Sequence, residues 1–245
     1  MGEFRFKQFS VRNDLAAQKV GTDAVLLGAA MTLPDASRRE PQLLLDVGTG
    51  TGVIALMAAQ RLSAGMEDFL IEAIDIDADA VAEASANFAS SPWSLHLHAS
   101  KISLQELSLA LDSARYDAIF SNPPFFEDSL KAPDGRRSAA RHADSLSYRD
   151  ISSFAAERLN PGGTLSLILP AGTELPLTRT AKSFGLSPFR TIRIRTTPSK
   201  PFKRIIAEFS KGVPVPGEPC EEELSLMEGA MRSSEYSSLT KDFYL

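Results

Sequence analysis

The stretch Leu43-Leu44-Leu45-Asp46-Val47-Gly48-Thr49-Gly50-Thr51-Gly52 decides the fold. Its first half is an apolar run with one acid near the end, short enough for a buried strand. Its second half is a turn with glycine at every other position. Val53 to Leu62, rich in Ala, Leu and Met, then reads as a helix. Strand, glycine turn and helix open a parallel α/β sheet. Working outward, the alternation persists. Leu70 to Ile76 predicts a strand and Ala78 to Phe88 a helix. Leu95 to His98 and Tyr116 to Ser121 predict further strands, the second broken by Pro123 and Pro124. Tyr148 to Leu159 predicts a helix ended by Pro161, Gly162 and Gly163. Thr164 to Leu169 is a strand stopped by Pro170, and Leu175 to Phe184 a helix. Leu186 to Thr196 and Arg204 to Phe209 form a closing antiparallel pair.

The turn itself speaks for a ligand. Glycines let the backbone approach a bound molecule, and the helix start behind them offers free N–H groups. The spacing is G-x-G-x-G, not the G-x-G-x-x-G of dinucleotide folds. Asp46, ahead of the first glycine, would repel a pyrophosphate and suits a ligand bearing an ammonium group. Asp75 ends the next strand, where a carboxylate can accept both hydroxyls of a ribose. Ile76 beside it can pack on a purine face.

Asn122-Pro123-Pro124-Phe125 follows the strand Tyr116 to Ser121. The carboxyl end of a strand is where α/β folds bind ligands. An exocyclic purine amine is a poor nucleophile, because its lone pair is delocalised into the ring. The Asn122 oxygen and the Pro123 carbonyl can accept its two N–H groups and favour a pyramidal nitrogen. Prolines hold these acceptors rigid. Phe125 offers a face on which a flipped base stacks.

Composition bounds the rest. The chain has 245 residues, 43% hydrophobic and 23% charged, enough for one well-packed domain. No apolar run reaches the roughly 18 residues of a membrane span, and the opening ten residues lack the apolar centre of a signal peptide. One cysteine, Cys220, excludes a disulfide framework and a cysteine-rich zinc site. Three histidines make a histidine metal centre improbable, so no metal is expected. The net charge is −5, but its distribution is uneven. Residues 190–204 carry Arg190, Arg193, Arg195, Lys200, Lys203 and Arg204 without an acid, while residues 217–245 are acid-rich. Such separated patches predict phosphate contact by Arg193, Arg195, Lys203 and Arg204. Arg136, Arg137 and Arg141, in a long polar loop after the N-P-P-F turn, are expected to flank the base-entry cleft. Glu221, Glu222 and Glu223 read as a solvated helix start, and Thr22 and Asp23 as caps of a helix over Asp23 to Met31. His96 and His98 read as core or edge residues of one strand, and His142 as an exposed loop residue.

The motifs together resemble the class I S-adenosylmethionine-dependent methyltransferases. The resemblance implies a seven-stranded, mostly parallel sheet with helices on both faces. It implies that Asp46, Gly48, Gly50 and Gly52 contact the methionine part of the cofactor and that Asp75 holds its ribose. Members often carry an acid after the third strand for the adenine amine. Here Ala99, Ser100 and Lys101 stand there, so Ser100 or a backbone group takes that place. N-P-P-F is similar to the motif [NDS]-P-P-[YFW] of amino-methyltransferases, with Asn122, Pro123, Pro124 and Phe125 at the reacting end.

Phe4-Arg-Phe6-Lys7-Gln8-Phe9, then Gln18-Lys19-Val20-Gly21-Thr22-Asp23, and the closing Leu239-Thr-Lys-Asp-Phe-Tyr-Leu245 narrow the resemblance. They look like the bacterial valine-tRNA adenine-N6 methyltransferases, which modify the adenine just 3′ of the anticodon. The match covers almost the whole chain and implies tRNA as partner, the cytoplasm as location, and a monomer without membrane association. It places Lys19, Gly21 and Thr22 over the cofactor pocket, with Lys19 able to meet the methionine carboxylate. Residues 1–38 then form an extension covering the cofactor site, 39–210 the methyltransferase domain, and 211–245 an acidic tail packed on it. Two alternatives share parts of these motifs: a protein-glutamine N5 methyltransferase, and a non-catalytic module that binds cofactor or RNA.

Overall fold

The computed structural model describes residues 2–16, 19–35, 40–109, 114–124, 146–212 and 218–245. The chain opens with an antiparallel ribbon, β1 (Glu3–Arg5) and β2 (Ser10–Arg12), followed by α1 (Thr22–Ala30). Then come β3 (Gln42–Val47), α2 (Val53–Leu62), β4 (Phe69–Asp75), α3 (Ala78–Ala89) and β5 (Leu97–Lys101). A short α4 (Leu104–Leu109) precedes β6 (Tyr116–Ser121). The second half contains α5 (Tyr148–Arg158), β7 (Leu159–Pro170), α6 (Glu174–Ser183), β8 (Leu186–Arg195) and β9 (Arg204–Lys211). β10 (Cys220–Ser225), the two-residue strands β11 (Met227–Glu228) and β12 (Met231–Arg232), and α7 (Ser234–Thr240) complete it.

Eight strands form the main sheet in the order β10-β8-β9-β7-β6-β3-β4-β5. Of these only β9 runs against its neighbours. Side chains alternate across the sheet and fill two cores. Leu44, Ile71, Ala73 and Phe120 join α1, α2 and α3 on one face. Leu45, Ile74 and Ile119 join α5 and α6 on the other. A strand buried on both faces favours apolar side chains along its middle, which is why β3 reads as an apolar run between Gln42 and Asp46. Each fully buried leucine there contributes about 1.5–3 kcal/mol.

Helix α1 is buried on almost every side and packs on α2. The approach is close enough that a Cβ on Gly28 would lie 2.7 Å from the Met57 sulfur. Helix starts follow local rules where the structure shows a cap. Asp77 accepts from the Asp79 N–H at α3, and Ser147 with Asp150 makes a reciprocal capping box at α5. Helix α1 departs from expectation: Gly21 is its N-cap, no side chain caps it, and Thr22 is its first residue. The Asp23 carboxylate instead meets Arg204 at 2.7 Å.

The sheet has eight strands where seven were expected. The added one is β10, which lies parallel to β8 and holds Glu221, Glu222 and Glu223. These residues are therefore in a strand and not at a helix start. The two charge patches, far apart in sequence, are zipped together. Arg190 bonds Glu222 and the fully buried Glu208, Arg193 bonds Glu174 and Glu221, and Arg195 bonds Glu223. Strand β7 also starts earlier than predicted, because Leu159 already pairs with Tyr116 before the register shifts at Ala118.

Candidate active site

The strand order reverses between β3 and β6, so their carboxyl ends open a crevice where parallel sheets bind ligands. Val47 of β3 lies opposite Ser121 of β6, and the Ser121 hydroxyl donates to the Val47 carbonyl at 2.6 Å. This bond seats the residue after each strand, Gly48 and Asn122, side by side. β4 ends beside β3 at Asp75.

The glycine turn is built as the sequence predicts. Gly48, Gly50 and Gly52 hold φ of 72°, 55° and 79°, in the left-handed region. At Gly52, the N-cap of α2, a Cβ would also strike the Phe88 ring at 2.5 Å, so the position tolerates nothing larger. A Cβ on Gly50 would meet nothing within 4 Å, which leaves room over the turn. The amides of Gly48 and Thr49 both bond the Ile74 carbonyl, at 2.9 and 3.0 Å. The Gly50 amide donates to one Asp75 oxygen, and the Asp77 amide to the other, each at 3.0 Å.

Asp46 is fully buried behind the turn. One oxygen accepts from the Thr49 hydroxyl at 2.7 Å, and the other has no partner among the described residues. Burial pushes its carboxyl up to about 7. The Thr49 bond opposes this shift, and the Asp75 charge adds to it. The Asn122 side-chain oxygen is also buried and without a partner among the described residues. Pro123 is buried beside it and Pro124 is exposed. Both oxygens face the crevice end of the sheet and are able to accept a donor from a ligand.

The remaining predicted residues are scattered over several places. Ile76 is exposed just past the end of β4. Ser100, half-buried, lies on β5 opposite Ile74. Both are at the ligand end. Lys19, Gly21 and Thr22 are exposed on the chain entering α1. The Asp23–Arg204 pair brings that entry to the ligand end, since Arg204 faces Pro170 at the carboxyl end of β7. Arg193, Arg195 and Arg204 are spoken for by carboxylates, which corrects the picture of an acid-free patch. Lys203 is exposed in the β8–β9 turn, and no acid pairs with it or with Lys200 among the described residues. Phe125, Arg136, Arg137, Arg141 and His142 lie outside the described residues. His96 precedes β5, stacks on Phe69 and bonds its carbonyl, whereas His98 is exposed.

Sequence reasoning missed Glu83 and Asn87. Both are buried on α3, and Asn87 bonds the Thr51 carbonyl in the glycine turn at 2.9 Å. A signal was present, because residues 80, 83, 84, 87 and 88 are the helix's inward face and two of the five are polar.

The arrangement fits S-adenosylmethionine. A buried acceptor awaits its cationic end, an open glycine turn can take its backbone-like part, and a carboxylate at the end of β4 can take its ribose. Bound there, the cofactor supplies a methyl group on a sulfonium. An amine presented at Asn122 stands at the adjoining strand end. A crevice of this kind is that of a class I methyltransferase. Residues 20–185 match the family model of the methyltransferase small domain. A solved structure from Agrobacterium tumefaciens, titled a predicted O-methyltransferase, superposes with a TM-score of 0.65 at 16% identity, covering 90% of this chain and 96% of that one.

Curated relatives give the finer division. A protein of Parabacteroides distasonis named tRNA1(Val) (adenine(37)-N6)-methyltransferase is 43% identical over 99% of this chain and 97% of its own. One of the same name from Bacteroides fragilis is 40% identical over the same shares. The chain belongs to the tRNA1(Val) (adenine(37)-N6)-methyltransferase family.

Proposed function

We propose that this protein transfers the methyl group of S-adenosylmethionine to N6 of adenine 37 in tRNA1(Val). The observation that carries the chemistry is the Asn122 oxygen beside the glycine turn, buried and without a partner among the described residues. An amine N–H is the donor it lacks. Accepting that N–H turns the nitrogen lone pair out of the ring and toward the methyl group. The Pro123 carbonyl takes the second N–H. After transfer the nitrogen is cationic and strongly acidic, so it sheds its proton without a dedicated base. Asp46 and the glycine turn hold the methionine part, Asp75 the ribose, and Ile76 with Ser100 the adenine. Lys19, Gly21 and Thr22 cover the cofactor, and Phe125 stacks on the target base.

The RNA face centres on the β8–β9 turn at the ligand end, where no acid among the described residues pairs with Lys200 or Lys203. Arg136, Arg137 and Arg141, outside the described residues, are proposed as further RNA contacts. Among the described residues no helix is long and apolar enough to cross a membrane, and no three potential metal ligands cluster. The protein works as a monomer on cytoplasmic tRNA.

Single-turnover methylation of a tRNA1(Val) transcript, at saturating cofactor and RNA, tests this reading. Asn122→Ala is expected to slow transfer by about 2.7–4 kcal/mol, as for removal of one preorganised polar group. Binding of cofactor and RNA is expected to be near normal. A transcript with guanosine at position 37 is expected to stay unmethylated. Transfer by Asn122→Ala at the parental rate would sink the mechanism.

A further inference from the structure

Residues 13–16, after β2, form a strap laid along α3, and its attachment is unusual. Glu83 is buried to 3% exposure, and no cation pairs with it among the described residues. Three consecutive backbone amides meet its charge instead. Asp14 and Leu15 donate to one oxygen at 2.6 and 3.0 Å, and Ala16 to the other at 2.8 Å. A carboxylate held this way makes charge-assisted bonds, stronger than neutral ones.

Two further bonds define where the strap lies. One turn along α3, the Asn87 side chain accepts from the Arg12 amide at 2.8 Å and donates to the Arg12 carbonyl at 3.1 Å. The same amide group donates to the Thr51 carbonyl at 2.9 Å, inside the glycine turn. Asn87 is thus a three-way joint between strap, helix and cofactor turn. Ala84 and Phe88, neighbours of Glu83 and Asn87 on that face, are the side chains that crowd Gly52. The Asn13 side chain accepts from the Val20 amide at 3.2 Å and draws the strap's ends together. Beyond Val20, Asp23 pins the entry of α1 to Arg204 at the ligand end.

We infer that Glu83 is a latch: by gripping the amides of Asp14, Leu15 and Ala16 it holds the strap against the glycine turn, so that the strap walls the cofactor pocket. It is a positioning residue, touching neither cofactor nor substrate. This inference rests on the cofactor reading above. Lifting the strap would leave the carboxylate without its three donors. The docked form is favoured as long as the charge is there. A glutamine in its place keeps one acceptor oxygen and sets an NH2 group against an amide N–H, donor facing donor. The fraction of molecules with the strap docked falls, and the apparent dissociation constant of the cofactor rises in proportion.

The test uses the full chain and S-adenosylhomocysteine, whose binding needs no methyl transfer. Hydrogen exchange at the amides of residues 14–16 reads the latch, and calorimetry reads affinity. Glu83→Gln is expected to speed exchange there and to weaken binding about tenfold or more, the loss of one charge-assisted bond. The KM for cofactor is expected to rise, with kcat at saturating cofactor and the KM for tRNA unchanged. Glu83→Asp, which keeps both oxygens, is expected to recover part of the affinity. Should Glu83→Gln not fold, Leu15→Pro removes one donor from an exposed position and carries the same two readouts. Unchanged exchange would mean that Glu83 does not hold the strap. Faster exchange with unchanged affinity would mean that the strap does not wall the pocket. Failure of the parent protein to bind at all would bring down the cofactor reading first, and this inference with it.

Discussion

Asp46 carries the sharpest prediction at the scale of one residue. Its carboxyl is pushed up to about 7 by burial, from 3.8. Between those values the unfolded chain has given up this proton and the folded protein keeps it. Stability therefore falls as pH rises across that window, and the penalty is complete above about pH 7. Asp46→Asn is expected to flatten this slope and to be more stable than the parent at pH 8 by roughly 2–4 kcal/mol, read by denaturant unfolding. Parallel curves for the two would mean that Asp46 titrates normally. A cationic ligand selects the ionised form, so cofactor affinity is expected to rise with pH through 7 in the parent and not in the variant. The placement of Asp46, the three glycines, Asp75 and Asn122 at the carboxyl ends of adjoining strands was legible in the sequence, because strand, turn and helix are contiguous and their geometry is local. Glu83 was not. Its place on the apolar face of α3 signalled a buried acid, but its role depends on which distant segment lies against that helix, which helical spacing does not tell. The Thr22 cap failed for a related reason, since Asp23, beside it, found a partner in Arg204 and the Gly21 backbone sufficed for the turn.

At the scale of elements, the pairing of β8 with β10 redistributes the charge. Three consecutive glutamates are poor strand formers. They form one here because β10 is an edge strand whose side chains reach the arginines of β8. Counting charges along the chain could not show this, as the partners of Arg193 and Arg195 in β10 are 28 residues away. The open alternation of strands and helices was readable from periodicity, down to the Tyr116–Ser121 strand. The eighth strand was not, because its apolar content is a single buried Leu224. One consequence separates the cations by function. Lys200→Ala with Lys203→Ala is expected to weaken tRNA binding and to flatten its dependence on log salt by roughly 0.7–0.9 per lost contact. Arg193→Ala is expected to leave that slope unchanged and to cost about 1.5–3 kcal/mol of stability, the range of charge-assisted bonds, because its two-pronged contact with Glu174 is half-buried. A slope altered by Arg193→Ala and not by the lysines would reverse the assignment.

Across the whole molecule, the two ends of the chain meet. The Lys7 amide bonds the Phe243 carbonyl at 2.8 Å, and Phe6 stacks on Tyr244 with centroids 6.1 Å apart. The opening and closing motifs, far apart in sequence, are one aromatic cluster in space. Phe243, next to Tyr244 in the chain, is buried to 3% exposure in the same core. Phe243→Ala is expected to cost about 3–5 kcal/mol in denaturant unfolding, as for a large side chain removed from a core. Cofactor affinity of the folded fraction is expected to stay near the parent's. The cluster also touches Trp93, just beyond α3 and before β5, while Gln60 near the end of α2 donates to the Asp242 carbonyl. Both contacts lie at the end of the sheet opposite the crevice. Donor and acceptor dyes attached at the exposed residues 7 and 241, which the Lys7 ammonium already joins through the Lys241 carbonyl, would therefore sit together on the floor of the molecule. Their energy transfer would ignore ligand and RNA and vanish only when the fold opens, a gauge of unfolding that leaves the catalytic end untouched.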